Sequence, residues 1–155
     1  MERDQMLHLF EVHREAEKAR DFDAVLATFA DDCFFETVAL GRRVEGKAAT
    51  RAAYEGFFTA FPDIVPVDQG MSFGEDVIAV WGELRGTNTG SWLGLPPGGG
   101  SFVVPFANIA PFRDGRMAGE RIYFDLATLC DQAGLSTEEV RAAALAAVGG
   151  GRGPS

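Results

Sequence analysis

Apolar side chains recur along this chain with two different periods, and the change from one to the other divides it. In the first part the period is helical. Met6, Leu9, Phe10, His13 and Ala16 fall on one stripe while Glu11, Arg14, Glu15 and Lys18 point the other way, which predicts an amphipathic first helix. Asp21 reads as the N-cap of a short second helix through FDAVLATFA, with Val25, Leu26 and Phe29 inward. CFFETV follows as a strand. After the charged turn GRRVEG, Tyr54, Phe57, Phe58 and Phe61 stand at i, i+3, i+4 and i+7 and predict a third helix over residues 47–61, ended by Pro62.

From residue 64 the period becomes two. IVPVDQGMSF, DVIAVWGELRGTNTG, FVVPFANIAPF and RMAGERIYFD read as strands, the last two joined through the hairpin signal Asp114-Gly115. Helices first and a meander afterwards predict an α+β fold, with a curved antiparallel sheet wrapped over the N-terminal helices. Residues 91–101, SWLGLPPGGGS, are too rich in Gly and Pro to continue a ladder. They are expected to form a flap whose Trp92 and Leu93 close over a hydrophobic ligand. In GERIYFDLATLCDQAGL, residues 119–135, alternation gives way to helical spacing at Asp125. One domain over residues 1–148 is expected, followed by a disordered tail over 149–155.

Composition narrows the partners. The 155 residues are 46% hydrophobic and carry a net charge of −9, so a packed core is affordable in size and the clustered Lys and Arg that phosphate groups require are absent. Nucleic acid and anionic membrane surfaces are therefore not expected partners, and a neutral or apolar small molecule is. Cys33 and Cys130 show no CxxC spacing and are expected to be reduced and buried. MERDQMLHLF lacks a long apolar run, so neither a leader nor a membrane span is expected and a cytoplasmic location follows. No metal or cofactor is expected, because His8 and His13 are the two histidines and no carboxylate cluster stands at ligand spacing.

The succession of ARDFDAVLATFADDCFFET, GTNTGSWLGLPPGGG, FRDGRM and ERIYFDLATLCDQAGL resembles the SnoaL-like polyketide cyclase branch of the NTF2-like superfamily, over roughly residues 5–135. The resemblance implies a cone-shaped α+β fold enclosing an apolar pocket, and a homodimer formed through the outer sheet face. Cyclases, ketosteroid isomerases, epoxide hydrolases and non-catalytic proteins share that fold, so function has to be argued from the site. In the polyketide cyclases and limonene-type epoxide hydrolases an aspartate three residues before the acid of the YFD ending moves the proton. That position is Ile122 here, and Asp125 matches the second acid.

If Ile122 faces the pocket, alternation places Glu120 and Phe124 beside it and turns Arg121 and Tyr123 outward. Asp125 has two readings, a pocket acid or the N-cap of the last helix bonding amides near Ala127 and Thr128, and the cap is favoured. His13 interrupts the apolar stripe of helix 1 and is either a satisfied core histidine or a pocket donor. The resemblance matches it to the tyrosine with which ketosteroid isomerases bond the substrate oxyanion. Asn108 interrupts an apolar strand and either pairs with backbone or, by the same resemblance, serves as a second oxyanion donor.

Thr37 matches the isomerases' general base, work a threonine cannot do. Its neighbour Glu36 points outward by alternation and inward under a one-residue register shift. Glu36, Glu120 and Asp125 are thus the candidate bases. Asn88 stands where many SnoaL-like chains have histidine. Phe57, Phe61, Trp81 and Trp92 are expected in the core or pocket wall. These residues together describe a hydrophobic-ligand pocket protein, a cofactor-free cyclase or isomerase in which His13 and Asn108 polarise a carbonyl and a carboxylate moves the proton. The alternatives are a non-catalytic binding module of the same fold and an interaction scaffold built on the outer sheet face.

Overall fold

Local signals start and stop the helices of the computed structural model, which describes residues 1–149. Glu2 N–H donates to Gln5 Oε1 at 3.3 Å as α1 (Arg3–Lys18) begins. Ala24 N–H donates to Asp21 Oδ1 at 3.0 Å at the start of α2 (Phe22–Thr28). Burial of Met6, Phe10, His13 and Ala16 follows the expected stripe of α1. The third helix, α3 (Lys47–Ala60), ends before Pro62. Asp125 starts α4 (Leu126–Ala133), and Gly134 ends it in the left-handed conformation at φ 79°. A fifth helix, α5 (Thr137–Gly149), was not expected; it packs Val140 and Ala144 into the core. Of the expected tail over 149–155, Gly149 closes α5 and residues 150–155 lie outside the described residues. Among the described residues no helix is long and apolar enough to cross a membrane.

Six strands form one sheet: β1 (Phe29–Thr37), β2 (Arg42–Glu45), β3 (Val65–Phe73), β4 (Val77–Thr87), β5 (Ser101–Arg113) and β6 (Arg116–Phe124). Their order is β2-β1-β6-β5-β4-β3. The sheet is mixed, which corrects the all-antiparallel expectation: β1 runs parallel to β6 while the other neighbours are antiparallel. The two strands meet only after α3 and the meander have returned the chain to β1, and a crossover of that length allows a parallel pair. Phe29, assigned to the second helix by its apolar spacing, is extended at ψ 152° and opens β1.

Irregular register bends the sheet over the helices. Asp68 pairs with Gly82 and Gly70 with Trp81, so Gln69 is an extra residue in β3. Between the pairs Ile109–Arg121 and Phe112–Met117, β6 likewise holds one residue more than β5. Helices α1, α2 and α3 cover the concave face together with Ile78, Val80, Ala110 and Phe112. A second cluster joins Leu84, Phe102, Val104 and Phe106 to α4 and α5. Phe57 and Phe58 of α3 touch both clusters.

Residues 91–101 are pinned to the body of the protein, contrary to the expectation of a free flap. Asn88, buried, donates from Nδ2 to Ala60 O at 3.1 Å and Gly90 O at 3.0 Å, and Gly98 N–H donates to its Oδ1 at 2.7 Å. Trp92 and Leu95 exchange backbone hydrogen bonds at 3.1 and 2.8 Å. The Trp92 indole is buried edge-on against Phe61, with ring centroids 4.9 Å apart. Five hydrogen bonds and a buried indole hold this loop more firmly than its composition suggests.

Candidate functional site

A cavity of about 450 Å³ lies between the concave sheet face and helices α1 and α3. Its wall is largely apolar and aromatic, with Phe35, Phe57, Phe58, Phe106, Ile122 and Phe124 among the lining residues. It opens between the end of α1 and the start of β3, where Lys18, Asp63, Val65 and Asp68 line it and are exposed. Arg14 bonds Asp68 across this mouth at 2.5 Å. Arg20 caps α1 at φ 58°, donates to Pro62 O and Ile64 O at 2.9 Å each, and stacks its guanidinium 3.8 Å over Phe58.

Inside the cavity wall sits one polar cluster, built from α1, α3, β5 and β6. Glu120 is 1% exposed, and three neighbours address its carboxylate. Asn108 Nδ2 donates to Oε1 at 2.6 Å, the Tyr54 hydroxyl donates to Oε2, and His13 Nε2 stands 3.5 Å from Oε1. His13 Nε2 also lies 3.2 Å from the Tyr54 oxygen and 3.4 Å from Glu17 Oε1, one helical turn along α1. Thr28 donates its hydroxyl hydrogen to Val25 O at 2.7 Å, so its oxygen accepts from His13 Nδ1–H at 2.8 Å. Among the described residues, Asn108 Oδ1 is the buried side-chain polar atom without a partner.

The charges follow from these contacts. Burial works against an imidazolium at His13, but Glu120 and then Glu17 outweigh it and lift the pKa to about 10. Burial works equally against the Glu120 carboxylate, and His13, helped by the hydrogen bonds from His13, Tyr54 and Asn108, holds its pKa below the usual value. Burial first, then the Glu120 and Glu17 charges, keep Tyr54 a protonated phenol. At neutral pH the cluster is an imidazolium–carboxylate pair with a second carboxylate, Glu17, at its cavity side.

The sequence matches the profile of the SnoaL-like polyketide cyclases over residues 8–133. The chain belongs to the SnoaL-like polyketide cyclase family. No curated protein matches it. Solved structures that it resembles include a protein of Jannaschia sp. CCS1 described as a SnoaL-like polyketide cyclase (TM-score 0.77, 22% identity, 86% of this chain and 94% of that one). IdmH from Streptomyces antibioticus, described as a polyketide cyclase, has a TM-score of 0.67 at 22% identity over 83% of this chain and 97% of its own. A ketosteroid isomerase-like protein of Catenulispora acidiphila, solved with trimethylamine, has a TM-score of 0.72 at 16% identity over 84% and 95%. At such identities the likeness is one of fold, and it shows the NTF2-like arrangement expected from the sequence.

Against that family background the structure sorts the expected site residues. Ile122, Glu120 and Phe124 line the cavity from β6, as alternation requires, and Asn108 lines it from β5. Ile122 stands where the resemblance expects an acid, and Glu120 lies two residues earlier on the same face of the strand. His13 joins the cluster but stands behind Glu120 and Tyr54 and does not line the cavity, so it positions and charges the carboxylate instead of touching a ligand. Asn108 spends one of its two amide N–H groups on Glu120, and its Oδ1 accepts from no neighbour.

Two readings left open by the sequence close on the favoured side, at Glu36 and Asp125, and three expectations are then corrected. Glu36 is on the outer face, bonded by Arg121 Nε at 2.7 Å, because the register gave no one-residue slip. Asp125 caps α4, accepting from Thr128 N–H at 3.0 Å and the Thr128 hydroxyl at 2.7 Å, and those bonds hold its pKa below the usual value. Trp81 lies outside, 45% exposed, its ring over Gly70 of the neighbouring strand. Asn88 ties down the 91–101 loop and is remote from the cavity lining. The absence of carboxylates at ligand spacing does not survive either, since His13, Glu17 and Glu120 bring a donor atom each within 4.8 Å of one another.

Thr37 and Trp92 face a separate 40 Å³ hollow that Phe57 also lines, and Phe61 is core. Sequence reasoning passed over Tyr54, Glu17 and Thr28. A hydroxyl inside an aromatic stripe and an acid four residues after a buried histidine were the available signals, since each needs a polar partner once buried.

Proposed function

We propose that this chain transfers a proton beside the carbonyl of a hydrophobic, polyketide-, steroid- or terpenoid-like small molecule, as a cyclase or isomerase that needs no cofactor for the step. One observation carries the reading: a carboxylate that is 1% exposed, Glu120, ends in the wall of an apolar cavity beside a phenol that stays protonated. A ligand carbonyl oxygen entering the cavity competes with Glu120 for the Tyr54 hydrogen. As Tyr54 turns to the ligand, Glu120 loses a hydrogen bond and gains basicity. Glu120 then takes the proton from the adjacent carbon, the C–H electrons move into the enolate, and the Tyr54 O–H bond to the enolate oxygen offsets its charge. Return of the proton from Glu120 to another atom completes an isomerisation, and attack of the enolate carbon on a second carbonyl, whose oxygen takes the C=O electron pair and then the proton from Glu120, completes a cyclisation. His13 keeps its charge throughout as the counterion.

The same contacts support a second reading. A carboxylate saturated by Tyr54, Asn108 and His13 is a weak base in the resting protein, which suits a binding module that recognises a ligand and leaves it unchanged. Mass spectrometry of the ligand that co-purifies names the compound class, and turnover of that class is then measured. The enzyme reading expects Glu120→Gln to lose about 10²-fold or more in turnover while still binding. A wild-type protein that binds the compound and never converts it supports the module. We also propose a homodimer through the outer sheet face, supported by exposed Val65, Val67, Trp81, Val103 and Tyr123.

A further inference from the structure

Two carboxylates and one imidazole converge at the cavity wall, each bringing a donor atom within 4.8 Å of the others. His13 Nε2 is 3.4 Å from Glu17 Oε1 and 3.5 Å from Glu120 Oε1. A tetrahedral ion with bonds of roughly 2.0–2.2 Å spaces its ligands about 3.3–3.5 Å apart. The donors come from rigid elements: His13 and Glu17 are one turn apart on α1, and Glu120 is on β6.

The surroundings are those that orient metal ligands. Thr28 accepts from His13 Nδ1–H, which directs Nε2 at the two carboxylates and fixes the ring. Asn108 Nδ2 and the Tyr54 hydroxyl hold Glu120 from its other lone pairs, leaving one on Oε1 free for an ion. Asn108 itself is 2% exposed, and its Oδ1 is buried without a partner in the same wall. That orphaned acceptor costs free energy as it stands, on the residue whose amide already bonds Glu120. Charge points the same way. Two carboxylates, Glu120 buried and Glu17 partly exposed, outnumber the one imidazolium, and Arg14, 3.8 Å from Glu17 and engaged with Asp68, offsets the excess only from the mouth. A divalent ion on a neutral imidazole removes that excess.

We propose that His13, Glu17 and Glu120 form a binding site for a divalent transition-metal ion of the zinc or cobalt type, with an open position facing the cavity. His and carboxylate donors in this number suit such ions. Glu17 and Glu120 line the cavity while His13 lies behind them, so the open position meets the oxygen of a bound small molecule. The ion takes the Glu120 lone pair that would accept a proton, so an occupied site does not perform the proton transfer proposed above.

The test uses the full-length, chelator-treated protein and the metals alone. Isothermal titration with Zn²⁺ and Co²⁺ is expected to show one ion per chain with micromolar or tighter affinity, and Co²⁺ to show the visible absorption of a tetrahedral site. Glu17→Gln removes a ligand at a half-exposed position and is expected to weaken binding about tenfold or more, and Thr28→Val about 10–100-fold through the lost support of His13. Asp63→Asn, an acid of the mouth outside the cluster, is expected to bind like wild type. No saturable binding, or wild-type affinity in both Glu17→Gln and Thr28→Val, overturns the site. Because these readouts involve no turnover, loss of the metal site and loss of the proton-transfer reading are told apart: the latter fails if the wild type binds the compound and never converts it, or if Glu120→Gln leaves conversion intact.

Discussion

A histidine buried among phenylalanines keeps its proton only because two carboxylates are buried with it. In the metal-free protein this makes stability depend on pH from both partners. His13 has its pKa raised from 6.5 to about 10, so its contribution is complete below 6.5 and is lost as pH rises through about 10. Glu120 has its pKa lowered from 4.5 to about 2, so its contribution is complete above 4.5 and is lost as pH falls through about 2. The cluster therefore favours the folded state most between pH 4.5 and 6.5, and weakens on both sides. Thermal melts of chelator-treated protein are expected to show a decline above pH 6.5 that His13→Gln flattens. An alkaline decline of the same steepness in the variant would assign it to other groups.

At the level of secondary elements, one irregularity in β6 aims the carboxylate. Met117 is buried, and strict alternation from it would send Glu120 outward; the extra residue of β6 between Met117 and Arg121 reverses the phase and turns Glu120 inward. Gly119 sits in that bulge against β1, where a Cβ would come within 2.5 Å of the Phe34 ring and 2.6 Å of its carbonyl oxygen. Gly119→Ala is expected to cost about 1–3 kcal/mol in urea unfolding, because the clash involves backbone that cannot turn away. A wild-type unfolding midpoint would show that β1 yields at no cost. Counting back from Ile122 found Glu120, whereas counting forward from Met117 would have missed it. Alternation is legible within a strand segment, and a bulge marks where one segment's phase stops applying.

Seen whole, the molecule has a wet outer sheet face that it does not cover. Tyr123, Ala107 and Trp81 pair across three strands, with Val103 and Val65 two same-face steps along on either side of Arg85. The apolar area left uncovered there supports the proposed homodimer, since burying it against a second copy removes it from water. Sedimentation equilibrium is expected to give a dimer for wild type and a monomer for Trp81→Lys, with circular dichroism unchanged. A monomeric wild type, or a dimeric Trp81→Lys, would remove the outer face from the interface.

Apolar period, capping residues and turn signals, all local, were enough to determine the first four helices, the meander and the cap at Asp125, while the family followed from the resemblance of whole segments. They were enough because helix and strand faces depend on residues a few positions apart. The parallel seating of β1 on β6, the anchored 91–101 loop and the meeting of His13, Glu17, Tyr54, Asn108 and Glu120 were settled only by folding. Those five side chains come from four elements up to 107 residues apart, and no local period encodes which buried polar group will find which partner. Burial made each of them need a partner, and the bulge in β6 chose Glu120 as the partner they share.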